Sequence, residues 1–142
     1  VPRLHTVQTE GAWPLRRAYA AVAARCAGNG PGEIRRALAY AAHHRSEFMW
    51  PWEHEPHSIA HGIVDDETYD WLAVVRGMLL TGGWPVVASE AEVLEAYCEG
   101  RGAGIHASAT GTAGLAGAMT LAQAGLLDHH DRVGILFTGV ER

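Results

Sequence analysis

Apolar positions along this chain switch between two spacings, and the switching predicts strands separated by helices. Leu4-His5-Thr6-Val7-Gln8-Thr9 is a β-compatible run that Gly11 and Pro14 stop. From Pro14, which suits a first-turn position, Leu15, Ala18, Tyr19, Val22 and Ala23 recur at helical spacing until Gly28-Asn29-Gly30. A second helix is expected from Glu33 to about His44, with Ile34, Leu38 and Ala41 on one face. Phe48 to Pro56 is irregular, and Ser58 to Ile63 suits a short helical turn. Asp65-Asp66 offers an N-cap for a helix carrying Tyr69, Leu72, Val75, Met78 and Leu79, closed by Gly82-Gly83. Pro85 to Ala88 reads as a short buried strand. Ser89-Glu90-Ala91-Glu92 has the capping-box form, opening a helix with Val93, Leu94, Tyr97 and Cys98 inward. Gly104 to Ala107 is a third strand candidate. A small-residue helix follows from about Thr112 to Gly125, and Val133 to Phe137 is a final strand reaching Thr138-Gly139.

Strands alternating with helices define an α/β class, with a mainly parallel sheet and helices on both faces. Ligands in such open sheets sit outside the carboxyl ends of strands, which directs attention to Thr138. At 142 residues the chain is one domain, and 48% hydrophobic with 19% charged residues is a globular composition. The net charge of −5, with arginines scattered along the chain, argues against a nucleic-acid surface. Apolar runs are only a few residues long, where a membrane span needs about 20. Cys26 and Cys98 are far apart and outside any C-x-x-C pair, which reads as free thiols and a cytoplasmic setting. All 11 basic residues are arginine, so no chemistry that needs a lysine amine can use this chain alone.

Three segments in order carry a family resemblance. Leu4-His-Thr-Val-Gln-Thr-Glu-Gly-Ala-Trp-Pro-Leu15 is the first. Ser58-Ile-Ala-His-Gly-Ile63, Gly82-Gly83 and Val86-Val-Ala-Ser-Glu-Ala-Glu92 form the second. Ala113-Gly-Leu-Ala-Gly117, Leu121, Gly125-Leu126, Asp131 and Val133 through Thr138-Gly139 form the third. Together they resemble the C-terminal half of pyridoxal-phosphate (PLP) enzymes of fold type II, closest to threonine synthase. The resemblance implies a PLP-dependent lyase or synthase acting on an amino acid or its O-substituted derivative by β/γ elimination or replacement. It implies that Thr138 meets the pyridine nitrogen and that Gly139 lets the backbone pass close to the ring. It further implies a single partial domain over residues 1–142. The PLP-bearing lysine and the glycine-rich phosphate loop then belong to an N-terminal half, which is the expected partner. Where threonine synthases commonly carry Glu-Pro before the small-residue helix, this chain has Ser108-Ala109-Thr110-Gly111, so Ser108, Thr110 and Thr112 are candidate substrate-side hydroxyls. The final turn continues Val140-Glu141-Arg142 in place of Gly-Leu-Lys.

The histidine-rich stretch offers other readings. His57 and His61 are four apart, the spacing of a metal pair on a helix, and His54 is near. Pro56 interrupts the stretch, and the H-E-x-x-H order is absent. His57 and His61 are therefore candidates for substrate contact, with a His-rich metal site as the rival. Trp50 and Trp52 read as a core cap or a lid, Tyr69 and Trp71 as packing residues, and His129 and His130 as solvated. A non-catalytic fold remnant or interaction module is the alternative to an enzyme. In either case an uncovered first strand predicts self-association into a homo-oligomer.

Overall fold

The computed structural model describes residues 1–26, 28 and 30–140. Asn29 of the expected helix stop and Glu141 and Arg142 after the final turn lie outside these. The chain is α/β, with a two-stranded parallel sheet and five α-helices among the described residues. In order these are β1 (Thr6–Thr9), α1 (Pro14–Arg25), α2 (Pro31–His43), α3 (Trp71–Thr81), β2 (Pro85–Ala88), α4 (Glu90–Gly102) and α5 (Ala109–Gln123). Short 3₁₀ turns occupy Arg45–Glu47 and His61–Ile63. None of these helices is long and apolar enough to cross a membrane.

β1 and β2 pair in register from Thr6 opposite Pro85 to Thr9 opposite Ala88. The Glu10 N–H donates to the Ala88 carbonyl at 2.9 Å, which sets the parity of the ladder. The backbone groups of Thr6, Gln8 and Glu10 therefore face β2, while those of Val7 and Thr9 face the free edge of β1. On β2, Val86 and Ala88 bond inward, and Pro85 and Val87 face out. Proline has no N–H to present, so Pro85 marks that side as a true sheet edge.

Side chains of β1 alternate between two helical layers, as strand geometry requires. Thr6 reaches the Met78 sulfur in α3 at 3.4 Å, and Gln8 Oε1 accepts the Arg16 N–H at the start of α1 at 2.9 Å. Val7 points the other way, onto Gly117 of α5, where any Cβ would overlap its Cγ2. Two cores result. One joins Leu15, Ala18 and Val22 of α1 to Ile34 and Leu38 of α2, Trp71, Val75 and Met78 of α3, and Phe48 and Met49. The other is Ala60, Ala88, Val93, Ala96 and Ala116, mostly alanine, so the backbones there approach closely.

Several expectations need correction. Asp65-Asp66 does not cap α3, which begins at Trp71 with Asp70 before it. Tyr69 consequently precedes the helix and is 92% exposed, while Trp71 alone is buried. In α4 the buried face is Val93, Ala96 and Gly100, leaving Leu94 and Cys98 exposed. The reason is α5: Thr112 packs against Gly100, so small residues and not bulky ones mark the contact. The capping box itself forms, with the Ser89 hydroxyl on the Glu92 N–H and the Glu92 carboxylate on the Ser89 N–H.

The third and fourth strands do not form. Ala107 makes one antiparallel bridge, to Val140, and residues 133–137 form no helix or strand. A strand needs an edge to pair with, and this segment meets a helix instead. Ile135 and Leu136 lie over Gly114, with Ile135 Cγ2 3.2 Å from where a Cβ would stand.

Candidate functional site at the carboxyl ends of the strands

Parallel strands deliver their carboxyl ends to one side, and here two carboxylates tie that side together. Glu10, directly after β1, accepts the Glu90 N–H at the start of α4 (2.9 Å). Glu90 in turn accepts the Ile59 N–H at 2.6 Å. The Ser58 hydroxyl holds the Ala60 N–H at 3.0 Å, so the segment from Ser58 to Ile63 is fixed over the strand ends. Gly11 makes this possible, because a side chain there would collide with the His57 carbonyl.

α5 runs against the direction of the strands. Gly117 meets Val7, and Thr120 and Leu121 lie beside Pro85 to Val87, so the helix N-terminus comes to the carboxyl ends. Ser108 caps it, its hydroxyl accepting the Gly111 N–H at 3.2 Å. Thr110 accepts the Gly62 N–H at 3.0 Å, joining the first turn of α5 to the residue after His61. The segment around Gly139 closes the group: the Ser108 N–H donates to the Gly139 carbonyl at 3.2 Å. A Cβ on Gly139 would stand 2.5 Å from Ser108 Oγ, so a side chain there would have to displace the capping hydroxyl.

Of the residues singled out from the sequence, Ser108, Thr110 and Gly139 are thus brought together, whereas Thr112 is fully buried, its hydroxyl on the helix carbonyls of Ser108 and Ala109, and does not face the site. Thr138 is beside them and exposed, and its hydroxyl has no partner among the described residues. His61 is exposed one residue from the Thr110 contact. His57 contributes its backbone carbonyl to the packing against Gly11, with an exposed side chain. His54, His57 and His61 do not converge as ligands. Among the described residues, the metal-compatible group is instead Asp128, His129 and His130, all exposed, with ligand atoms within 4.8 Å of one another. Beneath the site, the Thr9 hydroxyl is buried without a hydrogen-bond partner.

Glu10 and Glu90 were not anticipated as structural ties. Their signal was positional, since each directly follows the last residue of a predicted parallel strand or its cap. Arg17 is a second omission. Its guanidinium lies 3.8 Å from the Trp50 ring centroid and 4.9 Å from that of Trp52. It donates to both Glu53 carboxylate oxygens (2.8 and 3.0 Å) and to the Trp50 carbonyl (2.7 Å). The Trp50 indole N–H also donates to Glu53, which with Arg17 holds that carboxyl below its ordinary range. The two tryptophans are therefore pinned to α1, and Trp13 stacks edge-on against Trp52.

Ser108, Thr110 and Gly139 assemble at the positive end of a helix, above a floor stitched by two carboxylates, with exposed Thr138 and His61 each one residue from those contacts. They can hold a polar or anionic ligand without a covalent bond. Compared with known proteins, the chain matches no family profile and no curated sequence.

Proposed function

We propose that this chain supplies the C-terminal part of the catalytic domain of a fold-type-II PLP-dependent lyase or synthase of the threonine synthase type. Its substrate is an amino acid or O-substituted amino acid undergoing β/γ elimination or replacement. The observation that carries this reading is the seat of Gly139 on Ser108 and Gly111, which brings Thr138 to the N-terminus of α5. This is the side on which β1 and β2 end, where ligands of open α/β sheets collect.

The residues present suit the pyridine end of PLP. Thr138 offers an exposed hydroxyl next to the Gly139 backbone, which is seated on Ser108 and Gly111. When bound, PLP supplies an electron sink for charge that develops on the substrate carbon. A hydroxyl at the ring nitrogen, unlike a carboxylate, does not hold that nitrogen protonated. Ser108 and Thr110 line the substrate side with hydroxyls, and His61 stands ready to hold or move a proton. With no lysine in the chain, covalent attachment of the cofactor falls to another segment.

The sheet favours such a partner. In this reading β1 and β2 belong to a larger, mainly parallel sheet with helices on both faces, and it continues at β1. Val7 presents unpaired backbone groups along that edge, whereas Pro85 closes the edge of β2. The experiment is co-expression of this chain with the lysine-bearing N-terminal half. The assembled protein is expected to show the visible absorbance of bound PLP, absent from either piece alone. Assembly without PLP overturns the proposal.

A further inference from the structure

A groove of about 430 Å³ runs along the outer edge of β2, between α1 and the last turn of α5. It is distinct from the site at the strand ends: Ala124 on its wall is roughly 20 Å along α5 from Thr110. Ala20, Trp84, Leu121, Ala124 and Leu126 make its surface apolar.

Its polar groups are few, and several are already engaged. The Tyr19 hydroxyl donates to the Gly83 carbonyl (3.1 Å) and Thr120 to the Ala116 carbonyl (2.9 Å). The remainder lack partners among the described residues. They are the Arg16 guanidinium, which is exposed at the rim, and the outward backbone of β2. The ladder parity turns the Val87 N–H and carbonyl and the Pro85 carbonyl to this side. Pro85 contributes no N–H, so the edge offers one donor and two acceptors. That is too little for an added strand, but it matches a single residue.

We infer that this groove binds a free α-amino acid with an apolar side chain. Its carboxylate pairs with Arg16 and the Val87 N–H. Its ammonium donates to the Pro85 carbonyl, as the N–H of a parallel-ladder residue would, and its side chain lies against Trp84, Leu121 and Leu126. The volume is in the range of small-ligand pockets, about 300–1,000 Å³. Both ends of a zwitterion are needed to satisfy both signs of the free groups. A peptide is disfavoured, since the residues flanking the anchored one find no ladder partners on this edge.

The test is titration of the chain with leucine, followed through the backbone amide signal of Val87 and by calorimetry. Leucinamide, which lacks the carboxylate, and 4-methylvaleric acid, which lacks the ammonium, serve as comparison probes. Leucine is expected to shift the Val87 amide saturably, and each comparison probe to bind about tenfold more weakly or worse. Arg16→Gln is expected to weaken leucine by a similar factor. Ala20→Trp, which fills the groove from an exposed helical position, is expected to abolish binding, with the circular dichroism of both variants unchanged. An unmoved Val87 amide at the solubility limit of leucine overturns the inference. Equal binding of leucine and leucinamide, or undiminished binding to both variants, does so as well.

Discussion

Gly111 and Gly139 meet backbone to backbone: a Cβ on Gly111 would stand 2.6 Å from both the amide nitrogen and the carbonyl oxygen of Gly139. This contact seats the end of the chain on the first turn of α5. Gly111→Ala gains helix propensity of about 1 kcal/mol yet must displace the terminal segment, because a backbone neighbour cannot yield as a side chain can. The expected result is release of residues 133–140, read as faster tryptic cleavage after Arg132 with the rest of the domain still folded. Unchanged cleavage would mean the seat is not closed by this pair.

Gly117 and Val7 form a second such pair, between α5 and the sheet. Gly117→Ala is expected to cost about 1–3 kcal/mol in urea unfolding, as overpacking does. Val7→Ala removes the side chain that the new methyl strikes. The double variant should therefore be more stable than the sum of the single losses by about 1 kcal/mol or more. Strict additivity would contradict the packing described.

The loop from Trp50 to Glu53 depends on Arg17. Arg17→Ala is expected to cost about 1–2 kcal/mol and to move tryptophan emission to longer wavelength as Trp50 and Trp52 become solvated. Arg17→Lys should restore little, because a single ammonium nitrogen replaces neither the two nitrogens that divide between the Glu53 carboxylate and the Trp50 carbonyl nor the flat stacking on the rings.

The start of α4 carries a pH dependence. Burial raises the Glu92 carboxyl, but hydrogen bonds from the Ser89 hydroxyl and N–H outweigh it and hold the group below its ordinary 4.5. A carboxyl lowered by folding adds stability above its unfolded value, and that stability disappears as pH falls through the folded one. Thermal melts between neutral pH and pH 3 should show this loss, reduced in Glu92→Gln. Ser89→Ala should cost about 1 kcal/mol at neutral pH.

Thiol labelling separates the two cysteines. Cys98 is exposed, whereas burial, and then the charge of Glu33, raise the Cys26 thiol. One equivalent of a disulfide reagent should react quickly, and Cys98→Ser should remove that phase.

Elements set by strong local signals were legible from the sequence. Pro14 at a first helical turn, the Ser89–Glu92 box and the Gly82 stop, with its φ of +74°, all fall where the residue types require. Elements that depend on a distant partner were not. Val133 to Phe137 has the composition of a strand but packs on the small-residue face of α5 without pairing to either strand. The inward face of α4 was misread because hydrophobic size pointed to Leu94 and Cys98, while the close approach of α5 selected Ala96 and Gly100. Within the site, Ser108, Thr110 and Gly139 were named from chain order. Glu10 and Glu90 have a position that the sequence shows, directly after a strand or its cap, but their tie across two strand ends depends on the pairing of distant segments.

The central claim is that Thr138, seated by Gly139, forms the pyridine end of a PLP site. Its most direct test is the PLP affinity of the protein assembled with the lysine-bearing half, compared for Thr138→Ser and Thr138→Ala. The account predicts stoichiometric PLP, near-parental affinity with serine, and a loss of about tenfold or more with alanine. PLP bound equally well by the alanine variant, or not bound by the assembled parent, would contradict it.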